Sequence, residues 1–137
     1  MLLKNAHIIN PADNFNELSD IRIENGVVTE ISKDLFPLVD EEVIDLSEKV
    51  ITPGLVDMHC HLREPGFESK ETIKTGIQSA LAGGYTAICP MANTLPAVDN
   101  LMTLKYTFVR AKEADEIGFY PICAVSIGLQ GQNLVNM

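Results

Sequence analysis

The sequence predicts an α/β protein in which a small N-terminal β-sheet precedes a series of strand–helix units. Asn25-Gly26 lies between two runs rich in β-branched residues, which is the pattern of a tight hairpin. After Pro53-Gly54 the pattern becomes strand, loop and helix, repeated, as in a parallel sheet with crossover helices. The formal charge also changes there, from −7 over residues 1–52 to −2 over residues 53–137. We therefore expect a β-rich subdomain at 1–52 and a second subdomain at 53–137.

Short strands separated by turn residues are the signals of the N-terminal subdomain. The predicted strands are 2–9, 21–24, 27–31 and 43–46. Strands this few and this acidic need more chain to close a core, so we expect them to be part of a β-sandwich. His7, on the first of these strands, is interpreted as a structural residue.

The first strand–helix unit begins with a predicted strand over 55–62, followed by a loop and a helix over 70–82. The helix has apolar residues at four-residue spacing, and two small residues permit close packing. These are Ile73, Ile77 and Leu81, and Gly76 and Ala80. Gly83-Gly84 is expected to end the helix.

The next units are read from the same alternation. A second buried strand covers 85–91, and Asp99 is the expected N-cap of a second helix that ends near Gly118. The helical periodicity of that segment comes from Leu101, Leu104, Lys105 and Phe108. The remaining predictions are a third strand over 119–125, a loop over 126–131 and the first turns of another helix over 132–137.

Three strand–helix units do not close a barrel by themselves. A (β/α)₈ barrel typically needs about 250 residues, and this chain has 137. The fold class we expect is therefore the first three β/α units of a TIM-like (β/α)₈ barrel, preceded by the small β-sheet. The ending at Asn136-Met137 carries no stop signal, which indicates a truncated chain.

Composition excludes several classes of function. The chain is 46% hydrophobic and 21% charged, as in a globular protein, and its net charge of −9 without a basic stripe argues against nucleic-acid binding. No apolar run approaches the roughly 20 residues of a membrane span, so no membrane insertion or export is expected. Cys60, Cys89 and Cys123 occur singly, which argues against disulfides and a thiolate zinc site and favours a reducing cytoplasm.

Asp57, His59 and His61 fall on one face of the strand over 55–62, because side chains alternate along an extended backbone. Three ionisable groups on the interior side of a buried strand would be costly without partners. Two neutral imidazoles at i and i+2 can reach one Zn²⁺ or a similar ion, with Asp57 at the base of the site. The alternative is a pair of interior histidines with satisfied hydrogen bonds. The position of the strand before a loop favours the metal site.

Two further polar residues follow neighbouring strands. Arg63, in Arg63-Glu64-Pro65-Gly66, lies at the mouth of the first strand and suits planar recognition of a carboxylate, so it suggests an acidic substrate. Its alternative is a surface salt bridge to Glu64 or Glu68. Asn93 lies in the corresponding loop after the second strand and could stand beside Arg63. Taken alone, it would more often be a turn residue.

These residues belong to longer motifs that resemble a known family. The stretch Pro53-Gly54-Leu55-Val56-Asp57-Met58-His59-Cys60-His61 is similar to the first barrel strand of the amidohydrolase superfamily. The motifs after it resemble those of the dihydroorotase family, and the likeness covers essentially the whole chain. They are Leu62-Arg63-Glu64-Pro65-Gly66, Lys70-Glu71-Thr72, Gly83-Gly84-Tyr85-Thr86 and Asn93-Thr94-Leu95-Pro96. Ala92 departs from the proline of many relatives, so we expect a slightly less rigid loop with the same contact.

The resemblance implies roles for four residues. His59 and His61 would be ligands of one or two Zn²⁺ ions, or of another divalent metal. His61, Arg63 and Asn93 would bind substrate, Arg63 and Asn93 through its carboxylate. The implied reaction is the reversible cyclisation of N-carbamoyl-L-aspartate to L-dihydroorotate in pyrimidine synthesis, by a metal-activated hydroxide.

In the family the catalytic Asp, the bridging ligand and two more histidines come from later barrel strands. We therefore expect no catalytic residue within this chain, the Asp lying beyond residue 137. Two histidines are fewer than the about three protein ligands of a catalytic zinc. The isolated chain is accordingly expected to be inactive and to bind metal weakly.

Two other functions remain open. Allantoinases and hydantoinases share the Asp-x-His-x-His strand, although the Arg63 motif is more typical of dihydroorotases. A catalytically dead relative could instead be a scaffold, as in inactive dihydroorotase-like subunits that support aspartate transcarbamoylase. The expected partners are the small-molecule substrate and a second copy of the chain in a homodimer, or aspartate transcarbamoylase.

Overall fold

The computed structural model describes residues 1–114 and 116–136. The chain divides into two compact units, the first Met1–Pro53 and the second from Gly54 onward. Both α-helices of the described residues lie in the second unit. Within the described part of the chain, no helix is long and apolar enough to cross a membrane.

Five strands form the sheet of the first unit. They are β1 (Leu2–Asn10), β2 (Phe15–Glu24), β3 (Val27–Ser32), β4 (Val43–Asp45) and β5 (Val50–Ile51). β2 pairs antiparallel with β1 and β3, whereas β4 and β5 both lie parallel to β1. Buried Ala6, Ile8 and Ile21 form its core. The hairpin prediction at Asn25-Gly26 is confirmed, since both turn residues have positive φ, 51° and 76°.

Pairing extends this sheet beyond the sequence signals. β2 begins at Phe15 rather than near residue 21, because it pairs with β1 from Phe15 opposite Asn10 to Arg22 opposite Leu2. β5 was not predicted, since it is two residues long and forms through its pairing with β1. His7 is structural as expected, with its Nε2 2.6 Å from Oδ1 of Asn16 on the paired strand.

The buried carboxylate of Asp20 links β2 to β1 and to the loop at Leu35. Asp20 is 3% exposed and accepts hydrogen bonds from Nζ of Lys4 at 2.7 Å, the amide of Asn5 at 2.8 Å and the amide of Leu35 at 2.9 Å. Asn5 lies in the irregular part of β1 between Leu3 and Ala6, where its φ is 61°. Asp20 therefore stabilises a left-handed backbone residue and the loop at Leu35 at the same time.

The second unit is a parallel sheet with crossover helices, as the alternating pattern predicts. Its elements are β6 (Leu55–Cys60), α1 (Ile73–Ala82), β7 (Tyr85–Pro90), α2 (Leu101–Lys112), β8 (Gly118–Phe119) and a 3₁₀ turn (Ile127–Leu129). The strand order is β6-β7-β8, and both pairings are parallel. The α/β class is thus confirmed.

Helix α1 packs closely on the sheet. It begins at Ile73 rather than at residue 70, because Thr72 caps it: the Thr75 amide donates to the Thr72 hydroxyl at 3.1 Å. Ile73 and Ile77 are fully buried, and a Cβ added at Gly76 would lie 2.3 Å from Cδ2 of Leu62. The expected close packing is confirmed at Gly76.

Helix α2 differs from the prediction at both ends and in its packed face. Asn100 is the N-cap instead of Asp99, since its side chain accepts from the amides of Met102 and Thr103 at 3.0 and 2.9 Å. The helix ends at Lys112 rather than near Gly118. Its buried residues are Thr103, Thr107 and Ala111, whereas Leu101 is 53% exposed. Leu104 is half-buried and packs on the cluster of Ala92, Val98 and Ala124, as expected, so the packed face combines small side chains with this leucine.

The chain after α2 is less regular than predicted. The third strand was expected over 119–125, but β8 covers only Gly118–Phe119, after which single backbone hydrogen bonds join Tyr120 to Ile88 and Ile122 to Pro90. The helix expected over 132–137 is wrong for the described residues, because Leu134 forms an antiparallel bridge with Ser126. Met137, the last residue of that prediction, lies outside the described residues.

Candidate functional site

The end of β6 is irregular, and this changes the expected arrangement of its polar residues. The register between β6 and β7 shifts between Asp57 and Cys60, and the Asp57 carboxylate accepts from the amide of His59 at 2.9 Å. Asp57 and Cys60, expected on opposite faces, line one cavity of about 260 Å³ together with His61. The strict alternation of side chains therefore fails here, because an irregularity in a strand re-aims the side chains that follow it.

The structure brings His59 and His61 together. Their ring centroids are 5.3 Å apart with an interplanar angle of 69°, and both side chains are exposed. They line an open cavity of about 520 Å³ whose walls come from the chain that follows β7 and β8. The other lining residues are Met91, Ala92, Asn93, Ile122, Cys123, Ala124, Val125, Ser126 and Leu129. The cavity lies where the strands of a parallel α/β sheet commonly place a functional site.

Asn93 contacts the second histidine directly. Its Oδ1 lies 2.9 Å from Nδ1 of His61. An amide oxygen can only accept, so this contact suits the neutral tautomer of His61 that has its proton on Nδ1, in which Nε2 has a lone pair. A metal-binding histidine commonly has its other ring nitrogen held in this way. This contact does not use the amide NH₂ of Asn93, so its two N–H groups remain available as donors.

Ala92, which precedes Asn93, is buried and holds the loop in place. It packs with Val98 and Ala124 in a small apolar cluster. Its carbonyl accepts from the amides of Thr94 and Val98 at 2.9 and 3.1 Å. Asn93 is therefore presented from a hydrogen-bonded loop, although proline is absent at position 92.

Arg63 has an unusual backbone and an unengaged side chain. Its φ is 65°, a left-handed conformation that is uncommon for a residue with a Cβ. Among the described residues, no ion pair or side-chain hydrogen bond of its guanidinium is found. The alternative of a salt bridge is not what the structure has, since Glu68 accepts from Gly66 and Glu64 pairs with Arg110. The half-buried guanidinium is thus available to a ligand.

Glu64 is a site residue that sequence reasoning missed. It is 3% exposed, and three groups donate to its carboxylate: the amide of Ile73 at 2.8 Å, the hydroxyl of Tyr106 at 2.7 Å and Nε of Arg110 at 2.7 Å. Burial alone would raise the pKa of this carboxyl, but these hydrogen bonds outweigh it and hold the pKa below its ordinary value. Tyr106 and Arg110 are four residues apart on α2 and share a face, but no sequence spacing links them to Glu64, so only the fold reveals the contact.

The turn that carries Arg63 is joined to the loop that carries Asn93. The amide of Leu95 donates to the carbonyl of Pro65 at 2.9 Å. Gly66 has a φ of 97°, and a Cβ added there would lie 2.1 Å from the carbonyl oxygen of Leu95. The two segments therefore approach each other at a point where only glycine fits.

The donor set for a metal is incomplete in this part of the protein. Among residues 1–114 and 116–136, no three side chains of His, Cys, Asp or Glu form a group that could hold a metal ion. Burial and the nearby Asp57 raise the pKa of the Cys60 thiol to about 11, so this group stays protonated at neutral pH. His59 and His61 remain, and two imidazoles on one cavity fit part of a zinc site.

A family model described as dihydro-orotase-like matches residues 48–137. The match includes β6, both histidines, Arg63 and Asn93, and it covers more than half of the chain. The chain belongs to this family. The resemblance to dihydroorotases seen in the sequence motifs is thereby confirmed.

A curated relative supports the same assignment. The chain is 46% identical over 134 residues to the dihydroorotase of Acetivibrio thermocellus, a match that covers 98% of this chain and 31% of that protein. The chain spans about a third of the length of the curated relatives it matches. The family members therefore contain a large portion that has no counterpart among these residues.

Solved structures share the fold at lower identity. The L-hydantoinase (dihydropyrimidinase) of Arthrobacter aurescens matches with a TM-score of 0.79 at 24% identity, over 91% of this chain and 28% of that one. The atrazine chlorohydrolase TrzN of Arthrobacter aurescens TC1, solved in complex with zinc, matches with a TM-score of 0.71 at 17% identity. That match covers 98% of this chain and 38% of TrzN. The mixed α/β fold of this chain is thus the fold of the N-terminal part of such hydrolases.

Proposed function

We propose that the full-length protein carrying this chain is a dihydroorotase, which interconverts N-carbamoyl-L-aspartate and L-dihydroorotate in pyrimidine synthesis. The 46% identity to a dihydroorotase over 98% of this chain carries the proposal. The cluster of His59, His61 and Asn93 on one cavity supports it, because the family motif places its polar groups at these positions. The proposed reaction is the opening and closing of a cyclic amide.

We propose that His59 and His61 contribute to a site for one or two Zn²⁺ ions or another divalent metal. The zinc in the TrzN structure supports a metal in this superfamily, and the free Nε2 of His61 is the right kind of donor. When bound, the metal lowers the pKa of a water and polarises the amide carbonyl. The remaining ligands and the catalytic Asp would come from other parts of the full-length protein.

The residues of this chain then have binding and orienting roles. Arg63 would hold the substrate carboxylate through its unengaged guanidinium, and Asn93 would donate to the same carboxylate through its amide NH₂. Because the Asn93 oxygen contacts His61, the amide would orient the histidine and the substrate together. His61 would also line the substrate site, since it faces the same cavity.

Exposed apolar side chains support a larger architecture around the second unit. Leu55, Val56 and Met58 of β6 are 48%, 58% and 77% exposed, which is costly for a strand of a parallel sheet. We propose that residues 53–137 are the first three β/α units of a TIM-like (β/α)₈ barrel whose later strands cover them. Residues 1–52 would form part of a β-sandwich, since Val27, Val28 and Ile31 of β3 are exposed as well.

We propose the partners of the protein from family likeness. They are the small-molecule substrate, with either a homodimer or an association with aspartate transcarbamoylase, and no nucleic acid or membrane. The proposed compartment is the cytoplasm. Another cyclic amidohydrolase activity is the second candidate, because a hydantoinase structure matches with a TM-score of 0.79. A catalytically dead scaffold is a third.

A substrate comparison tests the proposal. Purified full-length protein with added Zn²⁺ is assayed with N-carbamoyl-L-aspartate, L-dihydroorotate, allantoin and hydantoin at equal concentrations. We expect interconversion of the first two and little turnover of the others, because only the first two carry the carboxylate that Arg63 would bind. Preferred hydrolysis of allantoin or hydantoin would assign the alternative activity, and inactivity on all four would indicate a scaffold.

A further inference from the structure

The backbone of Arg63 needs support from its neighbours. A left-handed residue with a Cβ is strained, and it persists only where the surrounding structure holds it. The Arg63 side chain does not provide that support, since no partner of its guanidinium is found among the described residues. Backbone hydrogen bonds hold the turn itself, from the Glu64 amide to the Leu62 carbonyl at 2.7 Å and from the Phe67 amide to the Arg63 carbonyl at 3.1 Å. The side chains on either side of Arg63 fix where this turn lies on the helices.

Both neighbours of Arg63 are buried. Leu62 is 7% exposed and packs against α1, where Gly76 leaves room for it. Glu64 is 3% exposed and is bonded to three groups outside the turn. One of them, the Ile73 amide, is at the start of α1, and the other two, Tyr106 and Arg110, are on α2. Because both flanking residues are held in this way, the orientation of the Arg63 side chain is restricted.

The same turn is also bonded to the loop that carries Asn93, the second residue proposed to bind the substrate carboxylate. Pro65, next to Glu64, accepts from the amide of Leu95, two residues after Asn93. Glu64 thus anchors one turn to both helices, and that turn is bonded to the loop of Asn93. A shift of the Glu64 side chain would move the Arg63 turn relative to α2 and would strain its contact with the loop.

We propose that Glu64 is a positioning residue that acts through Arg63, holding the guanidinium in the orientation that binds the substrate carboxylate. This inference rests on the proposed function. It adds a role for a carboxylate that itself touches neither the substrate nor the metal. The buried ion pair with Arg110 and the hydrogen bond from Tyr106 are then parts of the binding site, although both donors are on the far helix.

Glu64→Gln in the full-length protein tests this role. The amide keeps the size of the side chain but loses the charge and one acceptor, so the turn is held less firmly. We expect the KM for N-carbamoyl-L-aspartate to rise about tenfold, which corresponds to about 1.4 kcal/mol, while kcat changes little. Glu113→Gln is the matched control, because Glu113 is an exposed partner of the same Arg110. Its KM should equal that of the wild type.

A double-mutant cycle separates positioning from a general loss of structure. Arg63→Met removes the guanidinium, so Glu64→Gln should raise KM no further in that background. Independent, multiplicative effects of the two substitutions would overturn the inference, as would an unchanged KM in an active Glu64→Gln enzyme. If Glu64→Gln does not fold, Tyr106→Phe takes its place in the cycle, since it removes one donor to Glu64. Its effect on KM is then compared in the wild-type and Arg63→Met backgrounds. A wild-type protein that is inactive on N-carbamoyl-L-aspartate would instead overturn the proposed function itself, and the inference with it.

Discussion

Arg63 is the residue on which substrate choice should depend. Arg63 is half-buried in the turn after β6, and its guanidinium has no protein partner among the described residues. A guanidinium suits bidentate contact with a carboxylate, which a lysine ammonium cannot reproduce. In the proposed function, this residue is the one that recognises the carboxylate of the substrate.

Replacing Arg63 should impair only reactions of acidic substrates. We expect Arg63→Met in the full-length protein to lower kcat/KM for L-dihydroorotate by about 10–100-fold, since a hydrogen bond to a charged group contributes about 1.5–3 kcal/mol. Arg63→Lys should restore only part of the loss. Steady-state kinetics with L-dihydroorotate and with the uncharged 5,6-dihydrouracil measure the difference. Equal losses on both compounds would contradict a carboxylate-binding role.

Asp20 should make the first unit sensitive to acid. Burial alone would raise the pKa of its carboxyl, but the hydrogen bonds from Lys4, Asn5 and Leu35 outweigh burial and lower the pKa below the ordinary value of 3.8. A carboxyl whose pKa is depressed by folding stabilises the protein above its unfolded-state pKa, and this stabilisation is lost as pH falls towards the folded-state pKa. Acid should therefore weaken the attachment of Leu35 and Lys4.

Asp20→Asn tests this residue. At neutral pH we expect a loss of about 1–3 kcal/mol in the free energy of unfolding, because the amide leaves buried donors poorly paired. The difference from the wild type should shrink below about pH 4, because the unfolded-state carboxyl binds a proton there, whereas the folded-state carboxyl, with its lowered pKa, still resists protonation. Urea unfolding at pH 7 and pH 3.5 measures both values. Asp13→Asn, at an exposed position, is the control and should change little.

At the scale of elements, the site is assembled by two short segments that approach at Gly66. The turn after β6 carries Arg63, and the loop after β7 carries Asn93. Their shared hydrogen bond, from Leu95 to Pro65, is possible because Gly66 has no Cβ. The separation of the two segments is therefore set by backbone contact rather than by flexible side chains.

Gly66→Ala should destabilise the protein by more than the strain of its positive φ alone, because the added Cβ would clash with Leu95. Gly84→Ala is the matched control: Gly84 has a similar φ of 82°, but an added Cβ would meet nothing within 4 Å. We expect Gly84→Ala to cost about 1 kcal/mol of stability, and Gly66→Ala to cost at least about 1 kcal/mol more through its clash with Leu95. Urea unfolding of both full-length variants measures the gap. Equal costs would show that the loop moves aside freely.

Whether an element was predicted correctly depends on whether the residues that determine it lie within the element or elsewhere in the chain. Helix α1 has a capping Thr72 and buried isoleucines one turn apart, so its existence was predictable from local pattern. Helix α2 packs through threonines, alanine and Leu104, and its cap lies one residue later than predicted because Asp99 accepts from the amide of Gly128 instead. The expected helix over 132–137 is replaced by pairing with the chain near Ser126. A contact 29 residues away in sequence decided the first case, and a bridge between residues eight apart decided the second.

At the scale of the whole molecule, each unit leaves apolar strand surface open. Val27, Val28 and Ile31 are exposed on β3, and Leu55, Val56 and Met58 on β6. The family members are about three times longer than this chain. The open surfaces and the two-histidine donor set both fit a chain whose site is completed by other parts of the protein.

The isolated 137-residue chain should bind Zn²⁺ weakly and be inactive. We expect an affinity at least about a hundredfold below that of the full-length protein, since even losing the hydrogen-bond partner of a ligand costs about 10–100-fold. Isothermal titration measures both affinities, and the chain with His59→Asn and His61→Asn shows how much binding depends on the pair. The expectation fails if purified chain of the correct mass cyclises N-carbamoyl-L-aspartate at an enzymatic rate.

The sequence by itself determined the α/β class, the order of the main elements and the types of polar residue that follow β6 and β7. These features depend on local periodicity and on residue types such as the histidines, Arg63 and Asn93, which a linear pattern contains. Only the tertiary structure decided that Asp57 lines a different cavity from His59, that Asn93 contacts His61, and that buried Glu64 holds the Arg63 turn. Each of these depends on a strand irregularity or on partners that are far apart in sequence, and packing alone brings such groups together.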